Sequence, residues 1–182
     1  MLFEHLIFSI AIAILTYTIF RKKECLYIII GSAYAPDIDI VADYILKKIG
    51  ITIMIYNRYI QHGDFHNILV LVVFAILIAL ILKVFSFKIK DSFLFASIGF
   101  GAHLFEDAIV FNPGYRFFYP LSDKIYGIGI ISNYNNHIDF FGIANTEILI
   151  IGIVFVILSL YIKSYVNNKI ILKINNKSKV IK

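Results

Sequence analysis

The sequence predicts an all-α, polytopic integral membrane bundle of about five membrane segments, one of them short. Three observations carry that prediction. Hydrophobic residues make up 60% of the 182, charged residues only 16%, and mean hydropathy is +0.84, whereas soluble domains run about 45–50% apolar and about 25% charged. Long apolar runs recur along the chain, and the basic residues gather at the ends of alternate runs.

Residues 6–20 (LIFSIAIAILTYTIF) form the first run, preceded by Glu4 and followed by Arg21, Lys22 and Lys23. A signal peptide carries its positive charge before the apolar stretch, so this segment reads as an uncleaved first helix. Residues 25–36 are apolar but too short to cross alone, since a crossing takes about 20 residues. Residues 68–82 and 148–162 are the clearest further spans, and 92–111 make another despite His103, Glu106 and Asp107. No Ser/Gly/Pro-rich linker divides the chain. One membrane-embedded domain over 1–165 is expected, with a Lys/Asn-rich cytoplasmic tail over 166–182. Cys25 is the single cysteine, which excludes an internal disulfide.

If all five segments cross, every basic residue except Lys47, Lys48, Arg58, Arg116 and Lys124 falls on one side. Every acidic residue except Glu24 and Asp91 falls on the other. The positive-inside rule makes the basic side cytoplasmic, placing the amino terminus outside and the carboxyl terminus inside a cell membrane. The net charge of +5 is therefore explained by topology, and nucleic acid is not an expected partner. The lipid bilayer is. Oligomeric state is left open.

Against this background the ionisable groups inside or beside the apolar runs stand out, because each costs a few kcal/mol at membrane depth, roughly 2.5–3.5 for Asp. They are His5, the run Pro36-Asp37-Ile38-Asp39, His62 with His66, His103 with Asp107, and Glu147. Counting about 1.5 Å of rise per residue from the inner boundaries puts them at roughly 18–26 Å in a core about 30 Å thick. A site in the outer half of the membrane is expected. His103 and Asp107 are spaced i, i+4 and share a helix face, as His62 and His66 do if a helix runs through both. Imidazoles with carboxylates suit a divalent metal, Zn or Mn foremost, as one or two ions. Blander readings exist for each. His5 can be an interfacial residue, the Asp37/Asp39 run a helix-capping turn, and Tyr115, Phe117, Phe118 and Tyr119 an aromatic belt. His137 lies in a polar, turn-like stretch and reads as a surface loop. Arg58, Arg116 and Lys124 either clamp an anion or snorkel to headgroups.

These motifs, in this order, resemble the bacterial and archaeal family of LexA-regulated, membrane-bound metal-dependent hydrolases. That family has a His near the amino terminus, a Pro-Asp-x-Asp run, a His-Arg-Gly-x-x-His-Ser segment and a Gly-x-x-x-His-x-x-x-Asp helix leading to an aromatic-Pro pair. Here the counterparts are His5, Pro36-Asp37-Ile38-Asp39, Gln61-His62-Gly63-Asp64-Phe65-His66-Asn67, Gly99 through His103 to Asp107, and Asn112-Pro113-Gly114 running to Tyr119-Pro120. The chain departs at Gln61, which stands where the family has its first His, at His62 in place of its Arg, and at Ile40, where a His is common.

The resemblance implies an integral membrane metal-dependent hydrolase. His5, Asp37, His66, His103 and Asp107 would be the ligands, Asp39, His62 and Glu147 further ligands or their supports, and Asp39 or Glu106 the proton carrier. A lipid or lipid-linked phosphoester is the expected substrate at that depth. Two other classes fit the same residues. A metal or proton transporter requires polar groups continuing to the cytoplasmic side, where these spans are almost wholly apolar. A structural membrane protein uses the polar groups only to hold helices together.

Overall fold

The computed structural model describes residues 2–55, 58–60, 62–111, 114–129 and 146–180. Among these, six helices follow in order: α1 (Leu2–Phe20), α2 (Glu24–Ser32), α3 (Ile38–Lys48), α4 (Ile68–Val84), α5 (Ile89–Val110) and α6 (Thr146–Val180). A two-residue antiparallel pair, β1 (Met54–Ile55) with β2 (Arg58–Tyr59), lies between α3 and α4. The sequence reading did not anticipate it.

The chain is thus an all-α polytopic membrane bundle. Stretches of α1, α5 and α6 (Phe3–Phe20, Ile89–Val110 and Thr146–Leu172) are long and apolar enough to cross a membrane, and α4 is a shorter apolar helix. The nine residues of α2 rise only about 14 Å, half of a hydrocarbon core. Pro36 ends the apolar run, because its ring cannot continue a helix, and α3 restarts directly after Asp37. The last helix runs on to Val180, through most of the stretch 166–182 expected as a tail. Its Ile, Leu and Lys residues are all compatible with helix.

Helix contacts are made through small side chains, as expected where lipid offers no hydrophobic drive to association. Ala11, Ala13, Ala75, Ala79 and Ala96 are buried, while Ile150, Ile157 and Leu158 of α6 stay exposed as a lipid-facing surface. Three of the hydroxyls that enter the apolar layer satisfy themselves on their own helices. Ser9 donates to the Leu6 carbonyl, Thr18 to Ile14 and Ser159 to Phe155, each at 2.8 Å. One end of the bundle is fastened by polar ties: Lys22 pairs with Asp91 and Arg21 donates to Asn167. Above it lies an apolar core of Ala13, Cys25, Ile28, Ile29, Ala75, Phe95 and Ala96.

The half-length helix α2 is held on α5 by a close approach at Gly99. A Cβ there would collide with the Ile29 backbone. Gly99→Val should therefore push α2 away from α5 and cost about 1–3 kcal/mol of stability through overpacking. A lowered thermal transition of the detergent-solubilised protein checks this.

Candidate metal centre

The opposite end of the bundle, where α1 and α4 begin and α5 finishes, gathers the ionisable residues. Each arrives by a different local device. His5 lies one turn into α1. Asp37 occupies the break between α2 and α3. His62 and His66 sit in the turn before α4, not on a continuous helix. Gly63 permits that turn with φ +98°, and a Cβ there would stand 2.8 Å from the Tyr115 ring. Asn67 then caps α4 by accepting from the Val70 amide at 2.9 Å. His103 and Asp107 share a face of α5, as their spacing predicted, with Nε2 of His103 3.3 Å from Oδ2 of Asp107.

Donor atoms from these segments converge. Oδ1 of Asp37 lies 3.6 Å from Nε2 of His66, 3.7 Å from Nε2 of His103 and 3.9 Å from Nδ1 of His62. Oδ2 of Asp107 is 3.2 Å from Nε2 of His66, and its Oδ1 is 3.8 Å from Nε2 of His5. The His5 and His103 rings stack with centroids 4.0 Å apart. Three overlapping groups can hold a metal ion: His5, Asp37 and His103; Asp37, His62 and His66; His66, His103 and Asp107. Six of the eight residues read from the sequence as metal-binding are therefore together.

Two observations fit the donor set to a divalent cation. The Nε2 atoms of His66 and His103 face each other at 3.2 Å, close to the spacing of two tetrahedral ligands each about 2.0–2.1 Å from one ion. Both carboxylate oxygens of Asp107 and Nδ1 of His66 are buried with no hydrogen-bond partner among the described residues. A fully buried, unsatisfied carboxylate is costly, and a shared cation removes that cost.

The remaining polar groups aim the ligands. Nδ1 of His103 donates to the Ala33 carbonyl at 2.7 Å, leaving Nε2 to face the cluster. Glu106 takes Nδ1 of His5 at 2.9 Å and sets that ring in the same way. Asp39 is fully buried and accepts from the Gly63 and Phe65 amides at 2.8 and 3.2 Å, with His62 at 3.1 Å. It clamps the turn that carries both histidines. Burial pushes the Asp39 carboxyl up, but the His62 and His66 imidazoles outweigh that and hold it well below the ordinary carboxylate range.

Asp39 and Glu106 adjoin the cluster without belonging to any of the three metal-capable groups, and Glu147 is exposed in the first turn of α6, outside all of them. Helix rise alone gave Glu147 a matching depth, but depth does not fix the direction a side chain faces. Tyr115 is not simply part of an interfacial belt, because its hydroxyl is 3.2 Å from Nε2 of His62 and its ring lies 4.3 Å from that of His66. Phe117 is buried against Ala35, Phe100 and Leu104, whereas Phe118 is exposed. Arg116 is half-buried and Lys124 exposed; the Arg58 side chain and His137 lie outside the described residues. The roles of the Ala33 carbonyl and of Tyr115 were missed from sequence. A backbone carbonyl carries no residue signal, and the only hint for Tyr115 was the Gly beside it.

A family model described as YdjM inner membrane protein matches residues 1–170. The chain belongs to the YdjM inner membrane protein family. That agrees with the resemblance read from its ordered motifs. No curated protein and no solved structure matches the chain. A buried His/Asp cluster able to hold metal, inside a polytopic helical bundle of this family, supports a membrane metal-dependent hydrolase.

Because Asp39 acts through the histidines it positions, Asp39→Asn should weaken metal binding by roughly 10–100-fold, the usual cost of losing a partner that orients ligands. Titration of the purified protein with Zn²⁺ or Mn²⁺ measures it.

Proposed function

We propose that this protein hydrolyses phosphoesters at the outer half of the bilayer, on lipids or lipid-linked compounds. His5, Asp37, His66, His103 and Asp107 are the proposed metal ligands, with His62 completing the set beside Asp37. The observation that carries this reading is the convergence of imidazole nitrogens and two carboxylates from separate segments at separations suited to sharing an ion.

A divalent ion in that donor set supplies Lewis-acid activation of water and of a phosphoryl oxygen. The chain's own groups do the rest. Asp39 fixes the His62–His66 turn and Glu106 fixes the His5 ring. In the hydrolysis itself the water oxygen bonds to phosphorus, the ester P–O bond breaks, and the leaving oxygen ends with a proton taken from that water. Glu106 stands at the border of the cluster and is the proposed carrier of that proton.

Orientation follows from charge. Arg21 and Lys22 lie at the end opposite the cluster, and the positive-inside rule assigns such an end to the cytoplasm. The core between the two ends is Ala13, Ile28, Ile29, Ala75 and Phe95, which favours a hydrolase over an ion conduit, since a conduit needs polar groups along its path.

Metal analysis of detergent-purified protein should find Zn or Mn in the wild type and a loss of at least about tenfold in Asp37→Asn and His103→Ala, as expected when a ligand is removed. Equal metal in wild type and variants would sink the reading. A panel of lipid phosphates in mixed micelles should then show turnover that a chelator abolishes.

A further inference from the structure

Between α1, α5 and α6 lies a cavity of about 130 Å³, open on one side and lined by Phe8, Ile109, Val110, Ile148 and Ile151 together with Glu106. We infer that this cleft seats the hydrocarbon chain of a lipid phosphoester whose headgroup reaches the His/Asp cluster. The inference rests on the hydrolase reading and adds to it a binding site for the substrate's chain and the route of entry.

The three helices that wall the cleft are the three that, among the described residues, are long and apolar enough to cross a membrane, so its surroundings are hydrocarbon and not water. Its mouth is open, because Ile151 is 60% exposed. A larger cleft lies toward the other end of the bundle, lined by Ile28, Phe74, Ile78 and Leu82, but only the one beside α6 is lined by a residue bonded to the cluster, and protein interiors rarely keep voids larger than a water molecule. A space of this size with an apolar wall therefore calls for an apolar occupant.

Continuity with the cluster selects the occupant. Glu106 is the single polar side chain among the lining residues, and it is the group hydrogen-bonded to His5. On α1, Phe8 lies three residues from His5, roughly 4.5 Å further along the helix. The slot thus begins where the metal-binding residues end. A molecule filling both has a polar, anionic end at the cluster and an apolar chain running along α1 and α6. Transfer of that chain from lipid into the cleft gains little hydrophobic free energy, because lipid tails are equally apolar. The cleft works by register, holding the ester bond at the cluster so that reaction becomes effectively unimolecular.

Photolabelling tests this on the full chain. A hexadecyl phosphate with a diazirine in mid-chain should give adducts at Phe8, Ile109 or Ile148. Ile151→Trp, at the exposed mouth, should reduce labelling several-fold, whereas Ile157→Trp, equally exposed on the same helix, should leave it intact. Adducts spread without preference over the exposed face of α4 overturn the inference. So does equal reduction by the two Trp variants, or equal labelling by a diazirine hexadecane lacking the phosphate. With turnover as a second readout, Ile151→Trp should lower kcat/KM for hexadecyl phosphate relative to a short aryl phosphate several-fold, and an unchanged ratio argues against the cleft. Failure of the hydrolase reading shows separately, as absence of bound metal and of turnover on both phosphates, with the labelling pattern still decisive.

Discussion

The structure depends on how ionisable groups are kept within an apolar bundle. Asp39, His66, His103 and Asp107 are all but fully buried, and each alone would weigh heavily against insertion. They persist because they are buried together, with imidazoles facing carboxylates from several segments at once. Their mutual compensation fixes the relative positions of the upper ends of α1 and α5, the break after α2 and the turn before α4. The architecture at this end is organised by polar convergence, and at the other end by Ala-mediated close packing.

That division explains the irregular backbone. A membrane bundle admits non-helical segments only where protein covers their amides and carbonyls. The turn around Gly63 meets the condition by donating to Asp39, and the end of α2 meets it by offering the Ala33 carbonyl to His103. Each irregular segment is thereby stabilised through a group that also orients the cluster. The polar site and the departures from regular helix depend on one another.

Most of the fold and much of the site were legible in the sequence, for different reasons. Apolar runs of span length announce α1, α5 and α6 directly, and Pro36 marks the break that frees Asp37. The i, i+4 pair His103/Asp107 is a local property of one helix, so spacing alone placed both side chains. Convergence of His5 with residues a hundred positions later could be inferred only from depth along separate helices. The structure brings His5 to those residues and leaves Glu147 exposed on α6, outside the three metal-capable groups. The spacing of His62 and His66 suggested a helix, yet a glycine with positive φ and a clamp on backbone amides produce the same proximity by another route. Side-chain-to-backbone bonds such as those of Asp39 leave no periodic trace in sequence.

Every residue of the three metal-capable groups precedes position 108, and α6 supplies none of them. Synthesis proceeds from the amino terminus, so His5 and Asp37 emerge long before His103 and Asp107 exist to neutralise them. The first helix must wait at the membrane carrying an uncompensated polar residue near its tip, tolerable because that tip lies close to the headgroup layer. The His5 partners Glu106 and Asp107 arrive only with α5. All six donors are therefore in the chain before α6 is made, although α6 provides the most extensive packing against α1.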